Sequence, residues 1–391
     1  MILLQPICGP EQVVKMIKKL TLLSLVLIML LLILSPAVSI AAPQDSGSIM
    51  VTNSTAAMDF PLALNFAAHI NSTINITDVR LRYKIDQLSF ADVTSEGFVA
   101  VKPGTVFNAS YKLDLKKVGG LPPGARLKYW WQIKDASGSH LESTPTEFQV
   151  TDNRYKWQTL QEGKIYLFWY EGDKVFSHAL MSTAQTALVQ LQKDTGAVPD
   201  KDIYIYIYPN SEALKGSMIY PNEWTGGVAF TQYSIIAIGI SPGNLTWGQG
   251  AMTHELTHNV INQVTYNPYS DLPVWLNEGL AMHSEGPLSS QFTVPLSAAV
   301  ASGKLFSVRS LCSPFSAYPD KAVLSYAESA SLVEFLISQY GAEKMLKLLN
   351  TFKQGSTYDE AFQSVYGLDI ESLNVKWNTW VVLQYEASRA K

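Results

Sequence analysis

His254-Glu255-Leu256-Thr257-His258, followed by Trp275-Leu276-Asn277-Glu278-Gly279-Leu280-Ala281, is the stretch on which the reading of this chain turns. Residues four apart on an α-helix share a face, with Cβ atoms about 5–6 Å apart, so imidazoles at 254 and 258 can grip one metal ion at about 2.0–2.1 Å. Glu255, one position round, lies beside that ion without binding it and can take a proton from water there. A helix is expected around the motif. Met252, Leu256 and Val260 recur every four residues as a buried stripe, and Thr246 with Gln249 has capping-box spacing.

No glycine and third histidine follow at metzincin spacing, because Ile261 and Val264 stand there, so the third ligand has to come from elsewhere. Glu278 is the candidate, with nineteen residues between it and His258. Pro273 suits the first turn of a second helix, with Asp271 as its cap, and that helix would carry Glu278 towards the first. Glu285 is the alternative ligand if that helix is set differently, although it falls near the helix end beside Gly286. His283 lies about 140° round from Glu278 and reads as a histidine off the metal.

His-Glu-x-x-His with a later Asn-Glu-Gly-Leu-Ala resembles the gluzincin clan of zinc metallopeptidases. The Trp275 to Ala281 run is similar to the glutamate helix of aminopeptidase N-type enzymes, while the ligand spacing is closer to that of thermolysin. The compact layout, with Tyr326-Ala327-Glu328-Ser329-Ala330 and a tryptophan-bearing tail helix, resembles the bacterial peptidase MA-like metallohydrolases. This likeness covers roughly residues 160 to 388. It implies Zn2+ held by His254, His258 and Glu278, Glu255 as general base, and a peptide or protein substrate. It also implies a hydroxyl that stabilises the oxyanion, for which Tyr326 is the candidate and Tyr318 a weaker substitute.

Two departures from those relatives carry information. Thermolysin-like enzymes place an aspartate one turn after the ligand glutamate to hold a zinc histidine, and Met282 stands there, so that partner is unassigned. Aminopeptidase N-type enzymes hold the substrate amine with a glutamate in a segment that corresponds here to Thr225-Gly226-Gly227-Val228-Ala229-Phe230. With no carboxylate in it, endopeptidase action is expected over aminopeptidase action. The contrasting class is an extracellular binding or structural protein with a non-catalytic zinc site. Glu255 argues against that class, since a closed structural site needs a fourth ligand and has no use for a base.

The chain has 391 residues with 47% hydrophobic content, which exceeds a comfortable single core and suggests two domains. A pI near 5.9 without a basic cluster in the body excludes nucleic acid as the main partner. At the start, Lys15, Lys18 and Lys19 precede the apolar run Leu20 to Leu34, then Pro36 and the small residues Ser39, Ala41 and Ala42. Residues 1–42 read as a secretory signal, with Met16 as a possible true start, so a secreted or extracytoplasmic product is expected. The alternative is a retained membrane anchor through residues 20–40. Removing residues 1–42 takes away three lysines and Glu11, a net +2, and turns the charge of −4 into −6.

Cys8 and Cys312 offer no disulfide framework, and a lone cysteine among Leu311, Pro314 and Phe315 reads as a small buried hydrophobe. Five Asn-x-Ser/Thr sequons, at Asn53, Asn71, Asn75, Asn108 and Asn244, permit glycosylation. The fold expected is α+β. Alternating runs such as Val79 to Tyr83 and Leu127 to Ile133, punctuated by Lys102-Pro103-Gly104 and Leu121-Pro122-Pro123-Gly124, indicate an immunoglobulin- or fibronectin-like β-sandwich over 43–152, a spacer or packing partner rather than a dedicated sugar- or protein-binding module.

A zincin-like catalytic domain over 153–391 follows, with a small sheet and a mostly helical C-terminal half. Its strands are Lys164 to Tyr170 and Asp202 to Tyr208, with a helix from Asp173 to Lys193 between them. A hairpin spans Gly227 to Ile240 and turns at Gln232-Tyr233-Ser234. Helices are expected at Val323 to Tyr340, Ala342 to Lys353, Tyr358 to Val365 and Ile370 to Tyr385. By the gluzincin resemblance, the hairpin's edge strand pairs with extended substrate.

Overall fold

The computed structural model describes residues 44–45, 49–221 and 225–389. The signal segment, Met16 and the anchor alternative lie outside the described residues. The N-terminal region is all β, with β1 (Gln44–Asp45), β2 (Ile49–Asp59), β3 (Ala63–Asp86), β4 (Ser95–Val99), β5 (Gly104–Asp114), β6 (Arg126–Asp135), β7 (His140–Glu142) and β8 (Thr146–Gln149). These strands pair differently from the expected sandwich. Two separate sheets were anticipated, whereas pairing joins all eight strands in one set around β3.

The physical reason is the length of β3. Its first half pairs with β2 and β5, and its second half with β4 and β6. The polar stretch Asn71 to Asn75, which looks like a turn, is where the register of β3 against β5 shifts, and the strand runs through it.

The second sheet has the order β12-β13-β11-β10-β9, made by β9 (Gln158–Glu162), β10 (Ile165–Trp169), β11 (Ile203–Tyr208), β12 (Gly227–Phe230) and β13 (Ile235–Gly239). β10, β11 and β13 are parallel, and β12 runs antiparallel to β13 at the sheet edge. Parallel neighbours need a crossover. Helix α1 (Lys174–Thr195) supplies it between β10 and β11, starting where the Asp173 carboxylate accepts from the Phe176 amide.

The run Ile203-Tyr204-Ile205-Tyr206-Ile207-Tyr208 explains how this sheet is covered. Side chains alternate across a strand, so the isoleucines face one way and the tyrosines the other. Ile203, Ile205 and Ile207 join a core with the helices, while Tyr206 and Tyr208 join the core of the β region. The two halves of the molecule thus share the sheet. Asp152 closes the seam, with its side chain fully buried, its carboxylate accepting from Tyr208 Oη at 2.9 Å and taking both Nε and Nη2 of Arg154 at 2.7 Å.

After the short α2 (Ser211–Lys215) come α3 (Leu245–Thr265), α4 (Val274–Ser284), α5 (Ser290–Ser302), α6 (Val308–Leu311), α7 (Pro319–Lys353), α8 (Tyr358–Tyr366) and α9 (Ile370–Arg389). The two helices expected around residue 341 are both present, and the break within α7 is Gly341, where φ is +78°. Such a φ suits glycine because it lacks a Cβ. Met252, Leu256 and Val260 are buried as expected.

Two caps are corrected. The pair Thr246 and Gln249 makes no capping box, since α3 grows out of a 3-10 turn at Pro242–Asn244 and Gln249 donates to Thr183 Oγ1 at 2.8 Å. Pro273 stands at the cap of α4 rather than inside its first turn, and no side chain caps that helix.

Glu328 on α7 is fully buried, and both carboxylate oxygens lie 3.1 Å from the Phe306 amide. Burial pushes its pKa up to about 8 from an ordinary 4.5, against the opposing effect of that amide. An acid with a raised folded pKa keeps its proton in the fold over the window in which the unfolded chain has lost it. Its stabilising contribution is therefore complete below about pH 4.5 and lost as pH rises through about 8. Thermal melting across that window should show Glu328→Gln losing less stability at the alkaline end than wild type. Parallel curves would mean that Glu328 is ionised in the fold.

Candidate metal centre

Three side chains from two helices converge. His254 and His258 are one turn apart on α3, with ring centroids 4.7 Å apart and planes at 80°. Glu278 comes from α4, and its Oε2 lies 3.5 Å from the Nε2 of each histidine. The three potential ligand atoms fall within 4.8 Å of one another. Two imidazole nitrogens and one carboxylate oxygen form a donor set that zinc accepts, with a fourth position left for water or substrate.

The far ring nitrogens are held as well. His254 Nδ1 is 2.7 Å from Glu285 Oε1, and His258 Nδ1 is 3.1 Å from Asn277 Oδ1. Both oxygens accept, so each ring keeps a proton on Nδ1, and with an ion bound the Nε2 of each would be free to serve as the ligand atom. Glu285 is thus not brought in as a ligand. It answers the partner left open by Met282. Neither Asn277 nor Glu285 was read in this role from sequence, yet both leave a signal: Asn277 adjoins Glu278, and Glu285 lies two turns beyond it on the same face.

Gly279 completes this arrangement. A Cβ there would stand 2.4 Å from the carbonyl oxygen of Ser329, so only glycine lets α4 lie this close to α7. Residues 277 to 279 therefore supply, in order, a histidine partner, the carboxylate and the close approach that seats the helix.

The metal-free cluster is strongly coupled. Burial disfavours the Glu278 carboxylate, but hydrogen bonds from His254 and His258 outweigh it and hold its pKa below the ordinary range. Burial likewise disfavours a charged His254, and hydrogen bonds to Glu278 and Glu285 overcome it and raise that pKa. Glu255 is shifted upward, chiefly by burial, against the pull of both histidines.

Glu255 points at the sheet edge. The Ala229 backbone lies near enough to its carboxylate to lower the pKa slightly, and a Cβ on Gly227 would lie 3.1 Å from its Oε1. Tyr326 is half-buried, edge-on to Phe315 at 5.1 Å, and its hydroxyl pKa is pushed up to about 12 by burial and by the charges of Glu278 and Glu255. Tyr318 is 67% exposed at the start of α7 beneath Lys321. His283 sits apart from the cluster, between Asp194 at 3.3 Å and Glu334 at 3.1 Å. The Cys312 thiol is pushed up to about 11 by burial, which keeps it protonated at neutral pH and unfit as a nucleophile.

A sequence profile described as the Peptidase MA superfamily matches residues 183–383, just over half of the chain and all of this cluster. The chain belongs to the Peptidase MA superfamily. The matched region, residues 183–383, takes in both helices of the cluster. No curated protein matches the chain.

Among solved structures it is similar to an M1 zinc metallopeptidase mutant from Deinococcus radiodurans, at 10% identity over 88% of this chain and 96% of that one, with a TM-score of 0.34. It is similar to Legionella pneumophila aminopeptidase A at 10% identity over 81% of this chain and 47% of that one, with a TM-score of 0.38. A shorter likeness, to OgpA from Akkermansia muciniphila, has 12% identity over 27% of this chain and 29% of that one, with a TM-score of 0.21, so the chain spans less than a third of OgpA.

Outer partners of metal histidines typically contribute 10–100-fold to affinity. Asn277→Ala and Glu285→Ala should each weaken zinc binding by about that factor while the fold persists, as read by competition with a chromogenic chelator. Unchanged affinity in both would remove their assigned role.

Proposed function

We propose that the protein is an exported, zinc-dependent endopeptidase in which His254, His258 and Glu278 hold the metal and Glu255 is the general base. The observation that carries this reading is the placement of Glu255. It stands next to the ligand set without being part of it, and its carboxylate lies against Gly227 on β12, an edge strand among the described residues.

Zinc, when bound, supplies a Lewis acid that polarises a scissile carbonyl and makes water more acidic. Glu255 takes the proton from the attacking water and passes it to the leaving amine. Its upward pKa shift suits a group that must both accept and release a proton near neutral pH. The Tyr326 hydroxyl, close enough to feel both carboxylates and still protonated at neutral pH, donates a hydrogen bond to the developing oxyanion. Strand β12 is an edge strand among the described residues, and an edge of this kind can take an extended peptide by strand addition.

The absence of a carboxylate from Thr225 to Phe230 favours internal cleavage over removal of an N-terminal residue. The lysines and apolar run of residues 15–34 favour export.

Glu255→Gln and Glu278→Ala separate base from ligand. The first should keep stoichiometric zinc and lose turnover of a casein or peptide-library substrate by about 10²–10⁴-fold. The second should lose the metal, and added zinc should restore activity only in part. Full chelator-sensitive activity in pure Glu255→Gln protein would exclude that residue as the base. Stoichiometric zinc with no cleavage of any peptide would instead favour a binding protein.

Because the metal-free site keeps a proton on His254 above the ordinary histidine range, zinc uptake near neutral pH must displace it. Zinc affinity should rise about tenfold per pH unit between about pH 6 and about pH 8 for one displaced proton, and zinc binding should release protons in weakly buffered solution. A flat affinity over that window would mean that His254 is already neutral.

A further inference from the structure

The face of α3 that carries the two histidines continues towards its start. At about 100° per residue, Trp247 lies within about 20° of His254 and two turns ahead of it, with Gly250 between them. Trp247 is 48% exposed, and its ring rests against Gly226: a Cβ there would meet Trp247 Cη2 at 2.9 Å. The next residue, Gly227, stands in the same relation to Glu255. Consecutive Cα atoms are 3.8 Å apart, so the indole and the base meet the start of β12 within one residue of each other.

Glu285 forms the opposite wall. Its Oε1 is engaged by His254 Nδ1, whereas its Oε2 has no hydrogen bond among the described residues and lies 3.6 Å from where a Gly250 Cβ would be. The side chain is 33% exposed, so that oxygen can be reached. Gly250, between Trp247 and His254 on this face, has no side chain.

We propose that Trp247 and Glu285 form a subsite for a positively charged group of the substrate next to the scissile bond, a lysine or arginine side chain. This rests on the peptidase reading above and adds the substrate class. A cation over the indole face is attracted by the ring's quadrupole, and Glu285 Oε2 supplies the opposite charge beside Gly250, on the same face of α3. An apolar side chain in the slot would cover that carboxylate oxygen without pairing it, which is unfavourable. An acidic side chain would meet Glu285 and Glu255 together. The same cation chemistry could be presented by a free α-amine, and the test distinguishes the two.

Peptides that differ only in arginine or its neutral isostere citrulline, at the residue on either side of the cleaved bond, are compared with free and acetylated N-termini. Wild type should favour arginine by roughly tenfold or more in kcat/KM at one of these positions, regardless of acetylation. Trp247→Leu and Glu285→Gln should each bring that ratio towards one, while Trp247→Phe, which keeps an aromatic face, retains most of it. Glu285→Gln still presents an oxygen to His254, and melting curves identify any variant that has failed to fold.

The same peptides are titrated into zinc-loaded Glu255→Gln protein, so that the slot is read as a binding ratio independent of turnover. Equal binding and cleavage of both peptides by wild type, or a preference untouched in Trp247→Leu and Glu285→Gln, overturns the subsite. A preference in binding with no cleavage by wild type supports the subsite and defeats the peptidase reading alone. Charge dependence that vanishes on acetylation assigns the slot to an α-amine, which overturns the side-chain assignment and the endopeptidase preference together.

Discussion

The contact of α4 with its two neighbours is the constraint from which the rest of the site follows. A carboxylate and two imidazoles cannot share an ion unless two helices approach within a side-chain length, and here the approach is limited by backbone rather than side chains. Gly279 lies against the Ser329 carbonyl with no room for a methyl group, so α4 is seated on α7 at a depth fixed by main-chain contact. Ser329 is held in turn by a serine-rich face of α7, its hydroxyl bonded to the Ser325 carbonyl at 2.7 Å. Glu278 inherits that depth, and Asn277 beside it reaches His258. The cluster thus places two imidazole nitrogens around one carboxylate oxygen.

The parts of this arrangement that sequence revealed are those with a local period. His254 and His258 follow from helical spacing, as do the buried Met252, Leu256 and Val260, and the break at Gly341 follows from a glycine between two amphipathic runs. Asn277 and Glu285 were not legible in their roles, because a hydrogen bond between helices depends on how deeply they pack, and that depth is set by Gly279 against a residue fifty positions away. The N-terminal strands were visible by alternation, but their pairing was not. A 24-residue strand with a polar middle carries the same local signal as two shorter strands joined by a turn. The caps of α3 and α4 failed for a related reason: Gln249 found a better partner in Thr183 on α1 than in its own helix end.

The β region bears on the site more directly than its distance in sequence implies. Between it and the second sheet lies an aromatic layer from the connecting segment, in which Tyr155 stacks on Tyr170 at 4.0 Å and Trp157 stands edge-on to Tyr206 and Tyr208. Buried aromatics of this kind contribute large apolar area and resist sliding, because edge-on and stacked geometries are lost with small displacements. Gly124 adds a main-chain limit of the same sort as Gly279, since a Cβ there would lie 2.7 Å from the Tyr206 hydroxyl.

One segment extends this bracing to the chemistry. The loop after β3 crosses to the other half of the molecule, where the Leu88 amide donates to the Gln232 carbonyl at 2.8 Å and the Leu88 carbonyl accepts from Tyr266 Oη at 2.8 Å. Phe90 stacks on the Tyr266 ring at 4.3 Å. Gln232 lies in the turn between β12 and β13, and Tyr266 ends the helix that bears both histidines. A single loop therefore ties the strand against which Glu255 rests to the helix from which Glu255 projects. The distance between Glu255 and the sheet edge is fixed at both ends, by Gly227 packed against the carboxylate and by Leu88 at the far side of the hairpin. A β region attached only as a spacer would need no such link. As a brace it holds the edge strand in position relative to His254, His258 and Glu278.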